Sequence, residues 1–216
     1  SPMFRMATAA AGAAGSAAEA GIGFEIKSAT PWTYLLTQAE VILHYLRLSV
    51  WPTGQAIDYI DWPIAQSLRD VWPSFAAVGG GLLASVVLLY YRPPAGFVGF
   101  AFYAFLAPTS SVMPIVDPAF EHRMYLSLAP VAVGVVFAAR ALVGAADRSA
   151  RTRRVLGFGA LAAAAAALLA LTHARNETYR SHVAALENNT AVRPLNARPW
   201  TSLAAMYINA GDMERA

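Results

Sequence analysis

Asp117-Pro118-Ala119-Phe120-Glu121-His122-Arg123-Met124-Tyr125-Leu126 sets an acid, an imidazole and a guanidinium side by side between two apolar segments. Isolated charge is costly in hydrocarbon, so these three side chains need water, a polar ligand or one another. Ionisable groups at membrane depth mark functional sites by default. A plain structural reading stands beside that one: a polar cap at a helix start, with Glu121 and Arg123 among lipid headgroups.

The flanking composition supports a membrane setting. Of the 216 residues, 57% are hydrophobic and 13% are charged, whereas a soluble domain carries about 25% charge. The net charge is +3, and its excess sits in one short loop, which speaks for topology rather than nucleic-acid binding. There is no cysteine, hence no disulfide framework and no Cys metal site. His44, His122, His173 and His182 lack metal-ligand spacing.

Upstream of the quoted stretch, Val71 to Tyr91 is an uncharged segment of about 21 residues, long enough to cross a bilayer. Gly79-Gly80-Gly81 within it permits close helix contact or a kink. Pro93-Pro94 makes the turn, and Ala95 to about Leu106 forms the next apolar helix. Pro108-Thr109-Ser110-Ser111-Val112-Met113-Pro114 continues it in broken form. Irregular backbone at that depth is tolerated where it is buried or lines a watery cavity.

Downstream, Met124 to about Ala145 is a third span and Val155 to about Leu171 a fourth. Between them, Asp147-Arg148-Ser149-Ala150-Arg151-Thr152-Arg153-Arg154 carries four arginines against one aspartate. The positive-inside rule places that loop in the cytoplasm. By alternation, Glu121-His122-Arg123, residues 1–70 and everything after Arg175 lie on the opposite face.

Residues 1–30, rich in Ala and Gly, read as a low-complexity outer loop. Within 31–70, Pro31 to Trp51 reads as an amphipathic interfacial helix carrying Glu40, His44 and Arg47 on one face. That stripe is either a solvated face or a cavity lining. Asp58-Tyr59-Ile60-Asp61-Trp62-Pro63 pairs two carboxylates between aromatic residues and reads as a structural interfacial loop. Residues 71–173 hold the spans. From 174 to 216 the chain changes character: Glu177 to Glu187 is helical, and Trp200-x-x-Leu203-Ala204-x-x-Tyr207 matches the opening of a tetratricopeptide helix pair, with Ala216 at a small-residue position and Pro194 closing the preceding half-repeat. A single repeat cannot bury its face, so the sequence reads as a piece of a longer protein, open at both ends. Asn176-Glu177-Thr178 and Asn188-Asn189-Thr190 fit the glycosylation triplet, which is common by chance. The fold expected is all-α: a polytopic helical membrane bundle of about four spans plus an interfacial helix, followed by a tetratricopeptide helix pair.

Spans ending at such a repeat region resemble the transmembrane and tetratricopeptide-repeat O-mannosyltransferases and their bacterial relatives in the GT-C glycosyltransferase superfamily. Tyr34-Leu35-Leu36-Thr37-Gln38 with Tyr45-Leu46-Arg47-Leu48, then Asp58-Tyr59, then Phe120-Glu121-His122-Arg123-Met124-Tyr125-Leu126 carry the likeness, over roughly residues 22–216. The resemblance implies an enzyme of the bacterial inner membrane that moves a sugar from a polyprenyl-phosphate donor to a periplasmic acceptor. Its repeats would engage a protein partner or acceptor. The catalytic acid of such families lies in an N-terminal half that this chain does not contain, and Asp58 and Asp61 do not replace it. The chain by itself would be inactive, with its catalytic residues and cofactors unknown. Arg123 is then the first candidate for the donor phosphate, because guanidinium binds phosphate oxygens in bidentate fashion. Glu121 would orient Arg123 or act on the acceptor hydroxyl, and His122 would donate to phosphate or pack. Arg47 and His44 are second-line candidates for the same anionic cavity. Two other readings remain: a membrane-anchored tetratricopeptide scaffold without catalysis, and a transporter of lipid-linked sugars.

Overall fold

The computed structural model describes residues 29–145 and 149–214. The expectations placed on residues 1–28, on Asp147 and Arg148, and on Ala216 lie outside the described residues. The described residues form helices and connecting segments without strands. In chain order the α-helices are α1 (Pro31–Val50), α2 (Leu68–Tyr91), α3 (Pro93–Leu106), α4 (Met124–Ala145), α5 (Ala150–Thr178), α6 (His182–Val192) and α7 (Ala197–Ala210), with a 3-10 turn at Glu121–Arg123 leading into α4.

Each start has a local cause. Thr30 and Thr33 cap α1 reciprocally, and Pro31 occupies its first turn. Asp70 Oδ2 accepts the N–H groups of Ser67 (2.8 Å) and Gln66 (3.1 Å), which starts α2 at Leu68, three residues before the uncharged run. Pro93 and Pro94 are not the turn between α2 and α3. They are the first residues of α3, and Arg92 alone makes the reversal, because the missing N–H of a proline is unneeded in a first helical turn. Ser149 caps α5 and Ser181 caps α6. The polar helix after the spans therefore begins at His182, not Glu177, since α5 continues through His173 and Arg175 to Thr178. Gly211, at φ 79°, closes α7 in the left-handed conformation that favours glycine.

Three helices are long and apolar enough to cross a membrane, at Leu68–Tyr91, Glu121–Ala141 and Arg154–Thr178; the chain is an integral membrane protein. Of the four spans expected, the second, from Ala95 to about Leu106, falls short. At 14 residues, α3 extends about 21 Å, less than a hydrocarbon core of about 30 Å. Its continuation from 107 to 120 is irregular, as Pro108 and Pro114 require. That segment turns back to the same end as the connection between α1 and α2.

Small residues let α2 and α3 approach. A Cβ on Gly96 would collide with the backbone of Leu88 and Leu89, and one on Gly81 would strike the Tyr103 hydroxyl, which donates to Val78 O at 3.1 Å. By contrast, α5 buries none of its apolar stretch. The core sits at the polar end. Val41, Ile42 and Tyr45 of α1 pack there on Phe102 and Leu106 of α3, Tyr59 of the connection, and Met124. The amphipathic helix expected in the interface is thus the most buried element described, with Tyr34, Leu36 and Val41 fully enclosed.

Candidate functional site

The connection between α1 and α2, residues 51–67, carries no helix through Ile64 and must satisfy its backbone polar groups elsewhere. It does so against both the start of α4 and the last helices. Glu121 Oε1 accepts from the Tyr59 hydroxyl (2.6 Å) and from Ala56 N–H (2.8 Å). Burial and the adjoining Glu121 carboxylate push the Tyr59 hydroxyl well above the usual tyrosine range, so it stays a donor. The other carboxylate oxygen, Oε2, faces the Arg175 guanidinium at 4.0 Å. Glu121 therefore does not orient Arg123; Tyr59 and Ala56 orient Glu121.

Arg123 is spent differently. Its Nη2 donates to Asp117 O (2.7 Å), and its Nη1 donates to Pro118 O (3.0 Å) and Tyr34 Oη (3.4 Å). Gln38 Nε2 reaches the same Pro118 carbonyl at 3.0 Å, and Phe120 N–H donates to the Tyr45 hydroxyl at 2.7 Å. Burial pushes Tyr45 up to about 12. These bonds hold the irregular 117–120 segment where a helix cannot form. His122 is exposed, its ring 4.9 Å from that of Phe120.

His44 is packed edge-on between Tyr59 (5.5 Å) and Trp62 (5.1 Å). Burial, with Arg47 and Arg193 adding repulsion, lowers its pKa to about 4, so it is neutral near pH 7. Arg47 is exposed and donates to Thr53 O at 3.4 Å. The stripe of Glu40, His44 and Arg47 is accordingly split between an aromatic pocket and solvent.

The remaining face of the connection is covered by α6 and α7. Asn189 Oδ1 accepts from Ile57 N–H (2.6 Å) and Asp58 N–H (3.2 Å), and Asn196 Nδ2 donates to the backbone and side-chain oxygens of Asp58. Arg193 pairs with Asp61 at 2.7 Å and lies over the rings of Tyr59 and Trp62. Arg198 bridges Asp58 (2.8 Å) and Asp117 (2.9 Å). Asn188 Nδ2 donates to Gln55 O at 3.3 Å, so a residue of the second glycosylation-like triplet serves the same joint. The paired aspartates of 58–61 are structural ion-pair partners. Arg175, Arg193 and Arg198 have no signal in local pattern, because each lies far along the chain from its acid.

A cleft of about 450 Å³ opens between the end of α1, the start of α4 and the end of α5. Its lining passes from Leu168 and Leu171 to Arg175 and Asn176 along α5, and from Leu128 and Met124 back to His122 and Glu121 at the start of α4, with Leu48 and Gln55 also on its wall. Arg175 is held by Gln55 O (3.2 Å) and the Tyr179 hydroxyl (3.0 Å), with its guanidinium 4.8 Å from the Tyr179 ring. That leaves further N–H groups of a five-donor fork for an oxygen-rich anion. Of the sequence candidates, the structure brings Glu121 and His122 into the cleft and leaves Arg123, His44 and Arg47 outside its lining. The arrangement can hold an anionic head beside a carboxylate while shielding an apolar tail. Compared with protein-family models, curated proteins and solved structures, the chain matches none.

Proposed function

We propose that this chain is part of the membrane domain of a glycosyltransferase of GT-C type, transferring a sugar from a polyprenyl-phosphate donor to an acceptor on the outer face. The cleft carries this reading, because it joins a hydrogen-bonding end that holds the Arg175 guanidinium to an apolar trough at the end of the spans. A phosphate suits Arg175, His122 and Asn176, and the first isoprene units suit Leu128, Leu168 and Leu171. In this assignment Arg123 shapes the loop and Arg175 binds the anion. The cleft faces the periplasm of a bacterial inner membrane, with the arginines at 151–154 in the cytoplasm, and α6–α7 opens a tetratricopeptide array.

The direct measurement is the quenching of native tryptophan fluorescence in nanodiscs as a short-chain polyprenyl monophosphate is titrated, with the corresponding polyprenol as the neutral control. Saturable binding of the phosphate alone, weakened about tenfold by Arg175→Ala, is expected. Equal responses to phosphate and alcohol would remove the reading. A scaffold without catalysis is favoured by the exposed Leu195, Trp200 and Ile208 around α7; it predicts no phosphate-dependent binding at the cleft.

A further inference from the structure

We propose that Asn189 is a positioning residue for the Glu121 carboxylate, so that docking of α6 on the connection between α1 and α2 sets the geometry of the cleft. This goes beyond the transferase reading and holds whatever the cleft binds.

The inference rests on a two-sided loop. On one side, Ala56 N–H and the Tyr59 hydroxyl fix Glu121 Oε1. On the other, the next two N–H groups, of Ile57 and Asp58, both end on Asn189 Oδ1. Asn189 is fully buried. The loop has no regular ladder to hold it, so its conformation is decided by these side-chain acceptors. Asn189 acts through its oxygen alone: its Nδ2 is buried and makes no hydrogen bond among the described residues. Arg193, which caps the end of α6, braces the same segment through Asp61 and the Tyr59 ring. Removing the acceptor strands two N–H groups and frees the segment that aims Glu121. Coupling of this kind is reciprocal: a partner that moves α6 alters the cleft, and a ligand ordering Glu121 tightens the docking of α6.

Carbodiimide-driven amidation of carboxylates, followed by peptide mass spectrometry on the whole chain in nanodiscs, reads Glu121 directly. Exposed Glu177 serves as the internal standard, and half-buried Glu40 of α1 reports global opening. In Asn189→Ala the Glu121-to-Glu177 ratio should rise about threefold or more while Glu40 stays at its parent level. Asn189→Asp, which keeps the oxygen acceptor, should restore the parent ratio. Arg193→Gln should raise the ratio in the same direction, and it decides the matter if Asn189→Ala fails to fold. An unchanged Glu121 ratio in the folded variants, or a rise that Asn189→Asp does not reverse, overturns the proposal.

Discussion

Arg193 and Asp61 stand 132 residues apart in the chain and meet through a 2.7 Å charged hydrogen bond, with side chains only 19% and 17% exposed. Such a bond, short and largely shielded from water, is among the stronger kind. It joins the last helices to the loop that carries Tyr59.

That pair is expected to be coupled. Arg193→Ala and Asp61→Ala should each destabilise the chain, and the double variant should lose less than their sum. A coupling of about 1–3 kcal/mol is expected. Thermal unfolding in one detergent for all four proteins supplies the cycle, and additive losses would mean the pair is not coupled.

His44 should make the protein sensitive to mild acid. Its folded pKa, about 4, lies below the ordinary histidine value of 6.5. A depressed histidine pKa means that the unfolded chain takes up the proton first as pH falls. The stabilising contribution is therefore complete above about pH 6.5 and is lost progressively towards pH 4, to the extent of about 1–3 kcal/mol. Melting curves between pH 7.5 and pH 4.5 should fall less steeply for His44→Phe than for the parent. Parallel curves would place the acid sensitivity elsewhere.

Gly96→Val should separate α2 from α3. The obstacle is backbone at Leu88 and Leu89, which cannot swing aside as a side chain can. A loss of at least about 1–3 kcal/mol is expected, read as a lower melting temperature. Gly79→Ala, with open space around it, should be close to neutral in the same assay.

The absence of cysteine makes topology straightforward to measure. Ser149 and Ser181 flank the 29-residue α5, about 43 Å apart along its axis. In intact cells Ser181→Cys should react with an impermeant thiol reagent and Ser149→Cys should not. Reaction at Ser149 alone would invert the orientation.

Much of this architecture was legible in local pattern. The spans that end at Tyr91 and begin at Arg154 follow from hydropathy, and the start of α1 from Pro31. Pattern reading failed where length competed with composition. The run after Pro94 is apolar enough for a span, yet Pro108 and Pro114 stop its helix at Leu106. The charged stripe of α1 likewise gives no sign of what covers it. The aromatic pocket of Tyr59 and Trp62 around His44 is built from another segment and leaves no trace in helical periodicity.

The site divides in the same way. Sequence alone determined that polar groups gather at the ends of the spans, because hydrocarbon excludes charge and the apolar runs leave them nowhere else to lie. It could not assign partners among them. Arg123 and Glu121 are neighbours in sequence, yet Arg123 turns to the carbonyls of Asp117 and Pro118 while Glu121 turns to Tyr59 and Ala56. Arg175 reaches the cleft only because α5 runs unbroken past the apolar stretch to Thr178. Hydropathy and periodicity act over a few residues, whereas hydrogen bonds between loops depend on where distant helices end. Tertiary packing therefore decided which arginine braces a loop and which faces the cleft.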